Sequence, residues 1–156
     1  MTGIGAKGNP GVAGTISQTK GSIGYVGSEY SFAQKIPTAY IQNKAGKFIK
    51  PTLASISAAG KGTIPADTRI MLTNSDASIA YPISGFTWIL IYKDQNYANR
   101  TLAQSEATLK LIDWMMSPTA QSIAGKVNYA PLPAPVVLKA KAILRSVTYN
   151  GKAILK

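Results

Sequence analysis

The chain has 156 residues, about the length of one domain, with 46% hydrophobic and 15% charged residues, which excludes a disordered protein. Its 17 basic and 6 acidic side chains give a formal net charge of +11. The positive charge is spread evenly and forms no patch or stripe, so we expect no specific nucleic-acid site. Cysteine and histidine are both missing from the sequence. Disulfide bonds, thiolate metal sites and histidine general bases are therefore excluded.

The sequence carries no sign of membrane insertion or secretion. Its apolar runs all fall short of the roughly 18 residues that a membrane-spanning helix needs. Residues 1–5 lack the basic and apolar regions of a secretory signal. Three interpretations stay open: a cytoplasmic protein, a chain whose leader has been removed, or an excerpt of a longer chain.

The first motif is a glycine pattern at residues 3–8, GIGAKG, which matches the dinucleotide-binding GxGxxG. That fingerprint requires a strand immediately before it and an acidic residue about 20 positions later. No strand is visible before Gly3, and Glu29 falls in the next predicted helix. The pattern therefore favours a flexible glycine-rich lead into a helix over a nucleotide site.

That helix is predicted to begin with Asn9 as its N-cap and Pro10 as its first residue, and to end at Gly21. The free amides of a helix N-terminus can meet an anion, and small residues leave room for one. Gly8, Asn9 and Gly11 are therefore the candidate ligand-binding residues. Every helix offers this geometry, so the motif alone is weakly specific.

The rest of the first half alternates short strands with short helices. A helix capped by Ser28 and an alanine-rich helix over residues 51–59 are predicted, and residues 73–78 form a loop. A turn at residues 43–47 makes a hairpin of the strands on either side of it. The predicted strands cover residues 22–26, 38–42, 48–49 and 69–72.

Residues 86–92, FTWILIY, form an unbroken run of β-branched, aromatic and aliphatic side chains. Its length and its lack of alternation predict a strand that is buried on both faces. The chain beyond it is predicted to be almost entirely helical. One buried strand would then join two unlike halves.

The helical half shows clear start signals. Thr101 and Gln104 have capping-box spacing before a helix through Met116, whose buried stripe includes Leu102, Leu109 and Met115. A second helix starts at Ser117 and Pro118 and ends at Gly125. Residues 128–133 form an extended connector, and a last helix runs from Ala134 to about Val147. The tail after Tyr149 gives no prediction.

The chain offers little catalytic chemistry. Ser84 and Gly85 lack the G-x-S-x-G frame of a nucleophile elbow, and no histidine can activate the serine. The carboxylates show no spacing that suggests an acid–base pair or a metal cage. They are Glu29, Asp67, Asp76, Asp94, Glu106 and Asp113. We therefore expect no catalytic residue, no metal and no cofactor, and predict that the protein is not an enzyme.

Several blocks in family order resemble the periplasmic phosphate-binding protein of the ABC phosphate importer. The blocks are residues 8–13, 21–26 with 29–30, 42–48, 81–93, 113–114 and 128–133. The resemblance is to the C-terminal half of that family, whose full protein clamps an oxyanion between two α/β lobes. It implies an α/β, partial type II periplasmic-binding-protein fold, with incomplete lobes joined by a crossing strand and completed by oligomerisation.

By this resemblance, residues 1–82 are the later part of the second lobe, residues 83–93 the interdomain crossing strand, and residues 94–156 the helical C-terminal part of the first lobe. The family's phosphate ligands correspond to segments upstream of Met1. No established ligand is therefore carried onto this sequence, and Arg69 and Asp76 are not substitutes for them. We expect the isolated chain to bind phosphate weakly or not at all.

The resemblance implies non-catalytic capture of phosphate or a similar oxyanion and its delivery to an ABC permease in the membrane. It also implies a periplasmic location, although residues 1–5 show no signal peptide. A homo-oligomer, or the missing N-terminal half supplied in trans, is the expected partner. Two alternatives remain: a stand-alone oligomeric scaffold derived from a binding protein, and a basic polyanion-binding protein.

Overall fold

A computed structural model describes residues 3–155, and the predictions that concern Met1, Thr2 and Lys156 lie outside these residues. Residues 3–155 contain six α-helices and four two-residue strands, which is a mixed arrangement compatible with the predicted α/β class. The helices are α1 (Gly8–Gln18), α2 (Ser28–Gln34), α3 (Leu53–Ala58, continued by a 3-10 turn over Ala59–Lys61), α4 (Leu102–Met115), α5 (Pro118–Lys126) and α6 (Ala134–Arg145). The strands are β1 (Ile41–Gln42), β2 (Phe48–Ile49), β3 (Thr148–Tyr149) and β4 (Lys152–Ala153).

The predicted β1–β2 hairpin is confirmed, with Ile41 opposite Ile49 in an antiparallel pair. Asn43 holds its turn, because the Asn43 Oδ1 accepts hydrogen bonds from the amides of Ala45 and Lys47, both at 3.1 Å. The Asn43 Nδ2 donates to the carbonyl oxygens of Ser78 at 3.0 Å and Ala80 at 3.3 Å. One buried asparagine therefore shapes the turn and fastens the hairpin to the loop before Tyr81.

A second hairpin, β3–β4, was not predicted. Thr148 pairs with Ala153 and Tyr149 with Lys152, so Asn150 and Gly151 form a two-residue turn. Both have positive φ, 50° and 73°. Asn-Gly is the preferred dipeptide for such a turn, so the sequence did carry a signal for this hairpin.

The predicted starts of α4 and α5 are confirmed by their caps. The Gln104 amide donates to the Thr101 Oγ1 at 3.2 Å, and the Gln104 Oε1 accepts from the Thr101 amide at 2.9 Å. The Ser117 Oγ accepts from the Ala120 amide at 3.2 Å, with Pro118 as the first helical residue. These caps satisfy amides that a helix leaves free at its start, and they involve only residues close in sequence.

The predicted buried strand over residues 86–92 is wrong. The segment is neither helix nor strand, and Leu90 is 92% exposed. Across residues 3–155, no backbone–backbone hydrogen bond involves residues 86–92. A strand needs a second strand to pair with, and the described part of the chain places none beside it. Only Phe86 and Ile91 are partly buried against apolar clusters.

Two further strand predictions, over residues 22–26 and 69–72, are also wrong for the same reason. Both segments lack regular structure, and Ile23 is 99% exposed. Gly24 lies against the Ile16 side chain so closely that an added Cβ would come within 2.8 Å of it. Residues 22–26 therefore lie against α1 without pairing to a strand. In residues 69–72, Leu72 is buried in an apolar cluster.

In residues 3–155 the core consists of two apolar clusters, and α6 contributes to both. The first contains Ala58, Ala59, Ile64, Leu72, Ala80 and Val136, and the second contains Leu109, Met116, Leu144 and Val147. Val136 lies near the start of α6 and Leu144 near its end, so a single helix contributes to both clusters. Leu102 and Met115, predicted on the buried stripe of α4, remain 46% and 41% exposed.

The surface is unusually large for this mass. The accessible area is 10575 Å². A compact monomer of 16.5 kDa exposes only about 7,600 Å². The excess of roughly 3,000 Å² includes the apolar side chains of residues 86–92. None of the helices in residues 3–155 combines the length and the apolar character needed to cross a membrane.

Candidate anion-binding site

The glycine pattern at residues 3–8 leads directly into α1. Residues 3–7 have no regular structure, and α1 begins at Gly8. Glu29, the acidic residue at about the spacing of the dinucleotide fingerprint, lies in the first turn of α2. The described residues therefore agree with a glycine-rich lead into a helix, as the sequence favours.

The start of α1 differs from the prediction by two residues. Lys7 is the N-cap, with extended backbone, and Asn9 lies inside the first turn, so the prediction of Asn9 as N-cap is wrong. Gly8 has a φ of +62°, a conformation that side-chain-bearing residues rarely adopt. The glycine thus turns the chain into the helix before Asn9 is reached. The helix also stops at Gln18, earlier than the predicted Gly21.

The N-terminus of α1 offers few donors. The Gly11 amide donates to the Lys7 carbonyl oxygen at 3.2 Å. The amides of Gly8 and Asn9 have no protein acceptor within residues 3–155, and Pro10 has no N–H. No side chain caps the helix, and both residues are exposed. Two solvated amides provide a small part of what a dehydrated phosphate requires, so this geometry alone supports weak anion binding.

The acidic side chains, scattered in sequence, take separate structural roles. Four form ion pairs: Asp76 with Lys44, Asp67 with Arg69, Glu106 with Lys110 and Asp113 with Lys141. Asp94 accepts hydrogen bonds from the amides of Asn96 and Gly151, which together lower the pKa of its carboxyl group. Within residues 3–155 no three acidic side chains gather into a possible metal site.

Glu29 meets Tyr129 in a contact that the sequence did not indicate. The negative charge of the Glu29 carboxylate raises the pKa of the Tyr129 phenol, and partial desolvation adds to the effect. Tyr129 belongs to the connector between α5 and α6, whereas Glu29 belongs to α2. The effect therefore links a residue of the N-terminal part of the chain to one of the C-terminal part.

Two clefts of similar size lie away from the start of α1. One, of about 510 Å³, is lined by residues from the end of α2 to the start of β1 together with Lys50. The other, of about 570 Å³, lies between residues 97–100 and the first half of α4. Neither is lined by Gly8, Asn9 or Gly11. Sequence reasoning found neither cleft, because each is formed by segments that meet only in the folded chain.

The known proteins that this chain resembles in sequence share one name. No protein-family model matches the chain. The chain is 35% identical over 143 residues to the phosphate-binding protein PstS of Xylella fastidiosa (strain 9a5c), covering 90% of this chain and 38% of the relative. It is 37% identical over 147 residues to the phosphate-binding protein PstS of Haemophilus influenzae, covering 91% and 42%. With that of Methanocaldococcus jannaschii the identity is 30% over 143 residues, covering 86% and 37%.

The predicted resemblance to phosphate-binding proteins is thereby confirmed. The chain spans about two fifths of the length of these curated relatives. This share is consistent with the predicted correspondence to one part of the full-length protein.

Proposed function

We propose that this chain is the C-terminal portion of the substrate-binding component of an ABC-type phosphate importer. In this role it contributes to non-catalytic capture of phosphate, or a similar oxyanion, and to its delivery to a membrane permease, in the periplasm. The observation that carries the proposal is the 30–37% identity to phosphate-binding proteins over 86–91% of the chain. Relatives from bacteria and from Methanocaldococcus jannaschii carry the same name.

The division into lobes belongs to the same proposal. Residues 1–82 contribute to the second lobe, residues 83–93 pass between the lobes, and residues 94–156 complete the first lobe. The separation of the two apolar clusters supports this division, since one is built mainly from residues 58–86 and the other mainly from residues 91–155. Val136 and Leu132 are exceptions, because they join the first cluster from α6 and from the connector before it.

The exposed surface supports a partner polypeptide. Stable obligate interfaces bury about 2,000–5,000 Å² summed over both partners, or about 1,000–2,500 Å² on each, so the excess area of this chain, roughly 3,000 Å², is large enough to supply one side of such an interface. Residues 86–92 expose apolar side chains, and within residues 3–155 their backbone groups make no hydrogen bond to another backbone group. An extended segment of this kind is a ready template for pairing with another strand. The partner is either a second copy of the chain or the complementary N-terminal half.

A phosphate titration with and without the complementary half tests the proposal. The chain alone should give no calorimetric signal at micromolar phosphate. Mixing it with the unmatched part of the Xylella fastidiosa relative should give a stable complex that binds phosphate. Micromolar binding by the isolated, monomeric chain would contradict the partial-site proposal. A complex that forms and ignores phosphate would favour the scaffold alternative.

A basic polyanion-binding role is the second candidate, and the net charge of +11 is the observation that favours it. Fluorescence anisotropy with a short DNA duplex distinguishes the two. Binding to DNA that weakens steeply with salt, combined with no phosphate binding in the complemented form, would support this role. The importer role predicts the reverse pattern.

A further inference from the structure

The cleft of about 510 Å³ between α2 and β1 combines positive charge with an apolar floor. It is lined by Ser31, Phe32, Lys35, Ile36, Pro37, Thr38, Tyr40 and Lys50. Its volume falls within the range of small-molecule sites, about 300–1,000 Å³. Two ammonium groups line it and no carboxylate does. The charged side chains that line this cleft are therefore all positive.

The polar groups of this cleft retain unused hydrogen-bonding capacity. The ion pairs within residues 3–155 involve neither Lys35 nor Lys50. In the same part of the chain, the hydroxyl groups of Thr38 and Tyr40 and the amide of Thr38 have no protein acceptor. Ser31, which is buried, already donates its hydroxyl proton to the Ser28 carbonyl oxygen at 2.8 Å. Several donors and two cations thus line one cleft without an internal anion to satisfy them.

The second cleft, of about 570 Å³, provides a contrast within the same molecule. Its cation is Arg100, whose guanidinium donates to the Ser105 Oγ at 3.3 Å, the Tyr97 Oη at 3.2 Å and the Gln104 carbonyl oxygen at 3.2 Å. A further bond goes to Thr108. Arg100 therefore fastens the turn before α4 to the side of that helix. The donors of Arg100 are thus used within the protein, whereas Lys35 and Lys50 in the first cleft are exposed and make no ion pair within residues 3–155.

The walls of the first cleft indicate the kind of ligand. Phe32, Ile36, Pro37 and Tyr40 supply aromatic and aliphatic surface beside the two lysines. A phosphate or carboxylate group accepts charge-assisted hydrogen bonds from lysine, and an attached apolar group gains from leaving water. We propose that this cleft binds a small organic anion, with its phosphate or carboxylate group at Lys35 and Lys50 and its apolar part on Phe32 and Ile36. The inference is independent of the phosphate-importer role and concerns a different part of the chain from Gly8, Asn9 and Gly11.

Titration of the full chain with phenyl phosphate, followed by amide NMR shifts, tests the proposal. Shifts should concentrate at residues 31–40 and at Lys50. The double variant K35Q/K50Q should weaken binding by about tenfold or more, because it removes both charge-assisted contacts. The matched control K20Q/K126Q removes the same charge from two exposed lysines outside the cleft and should leave the affinity within about twofold.

Three probes separate the contributions to binding. Inorganic phosphate should bind more weakly than phenyl phosphate, because it leaves the apolar walls unused. Benzoate should compete with phenyl phosphate, because both present an anion on an aromatic ring. Equal weakening in the two double variants would overturn the proposal in favour of diffuse charge attraction. Shifts confined to residues 8–12 would also overturn it, while leaving the proposed function of the chain untouched.

Discussion

Leu109 and Leu90 allow the same substitution to be made in opposite environments. Leu109 is fully buried in the second apolar cluster, and Leu90, within the segment that the sequence predicts to be buried, is 92% exposed. Leu109→Ala removes buried apolar atoms and leaves a cavity between α4 and α6, which costs about 2–5 kcal/mol of unfolding free energy. Leu90→Ala removes atoms that water already surrounds, so we expect a change within about 0.5 kcal/mol.

Urea unfolding and thermal unfolding, each followed by circular dichroism at low protein concentration, measure both effects. For a chain of this length, a loss of about 3 kcal/mol lowers the midpoint of thermal unfolding by roughly 6–12 °C. Leu109→Ala should show a shift of that size, and Leu90→Ala almost none. Equal destabilisation of the two variants at every concentration would refute the structural reasoning, since it would place Leu90 in the core of the monomer. Destabilisation by Leu90→Ala that grows with concentration would instead indicate that a second copy covers the segment.

Three further predictions concern single groups. Thr101→Ala removes the capping box of α4 and should cost about 1 kcal/mol in urea unfolding, whereas Thr119→Ala, at an exposed site in α5, should cost much less; equal losses would contradict the capping role. The lowered pKa of Asp94 means that its stabilising effect on the β3–β4 hairpin is present above its ordinary pKa of 3.8 and lost as the pH falls through its lower folded value. The protection factors of the hairpin amides, which are exchange rates corrected for the intrinsic pH dependence of exchange, should therefore fall at low pH in the wild type and depend much less on pH in Asp94→Asn. Glu29→Gln should lower the pKa of Tyr129 towards 10.0 in an NMR titration, because it removes the negative charge that disfavours the phenolate, and an unchanged pKa would show that the two groups do not interact.

The candidate site at α1 was only partly predictable from sequence. Asn9 and Pro10 correctly indicated a helix start near these residues, although Asn9 is not the N-cap. Lys7 is the N-cap in place of Asn9 because Gly8 has a positive φ. A glycine allows this backbone conformation but does not require it, so the sequence alone could not locate the N-cap. The cleft lined by Lys35 and Lys50 was not predictable from the sequence. The two lysines lie fifteen positions apart, and only the folded path of the chain from α2 past β2 places both of them at one cleft.

Short-range chemistry in the sequence determined where helices and turns begin. Thr101, Ser117 and Asn43 each bind amides within four residues of themselves, so no distant contact is needed to place them. Burial was decided only by the tertiary structure. Residues 86–92 have the composition of a core strand, yet a strand needs a partner for its backbone and a cover for its side chains. Along most of residues 86–92 the described chain supplies neither a pairing strand nor a cover. That unmet requirement is the physical reason to expect a partner polypeptide.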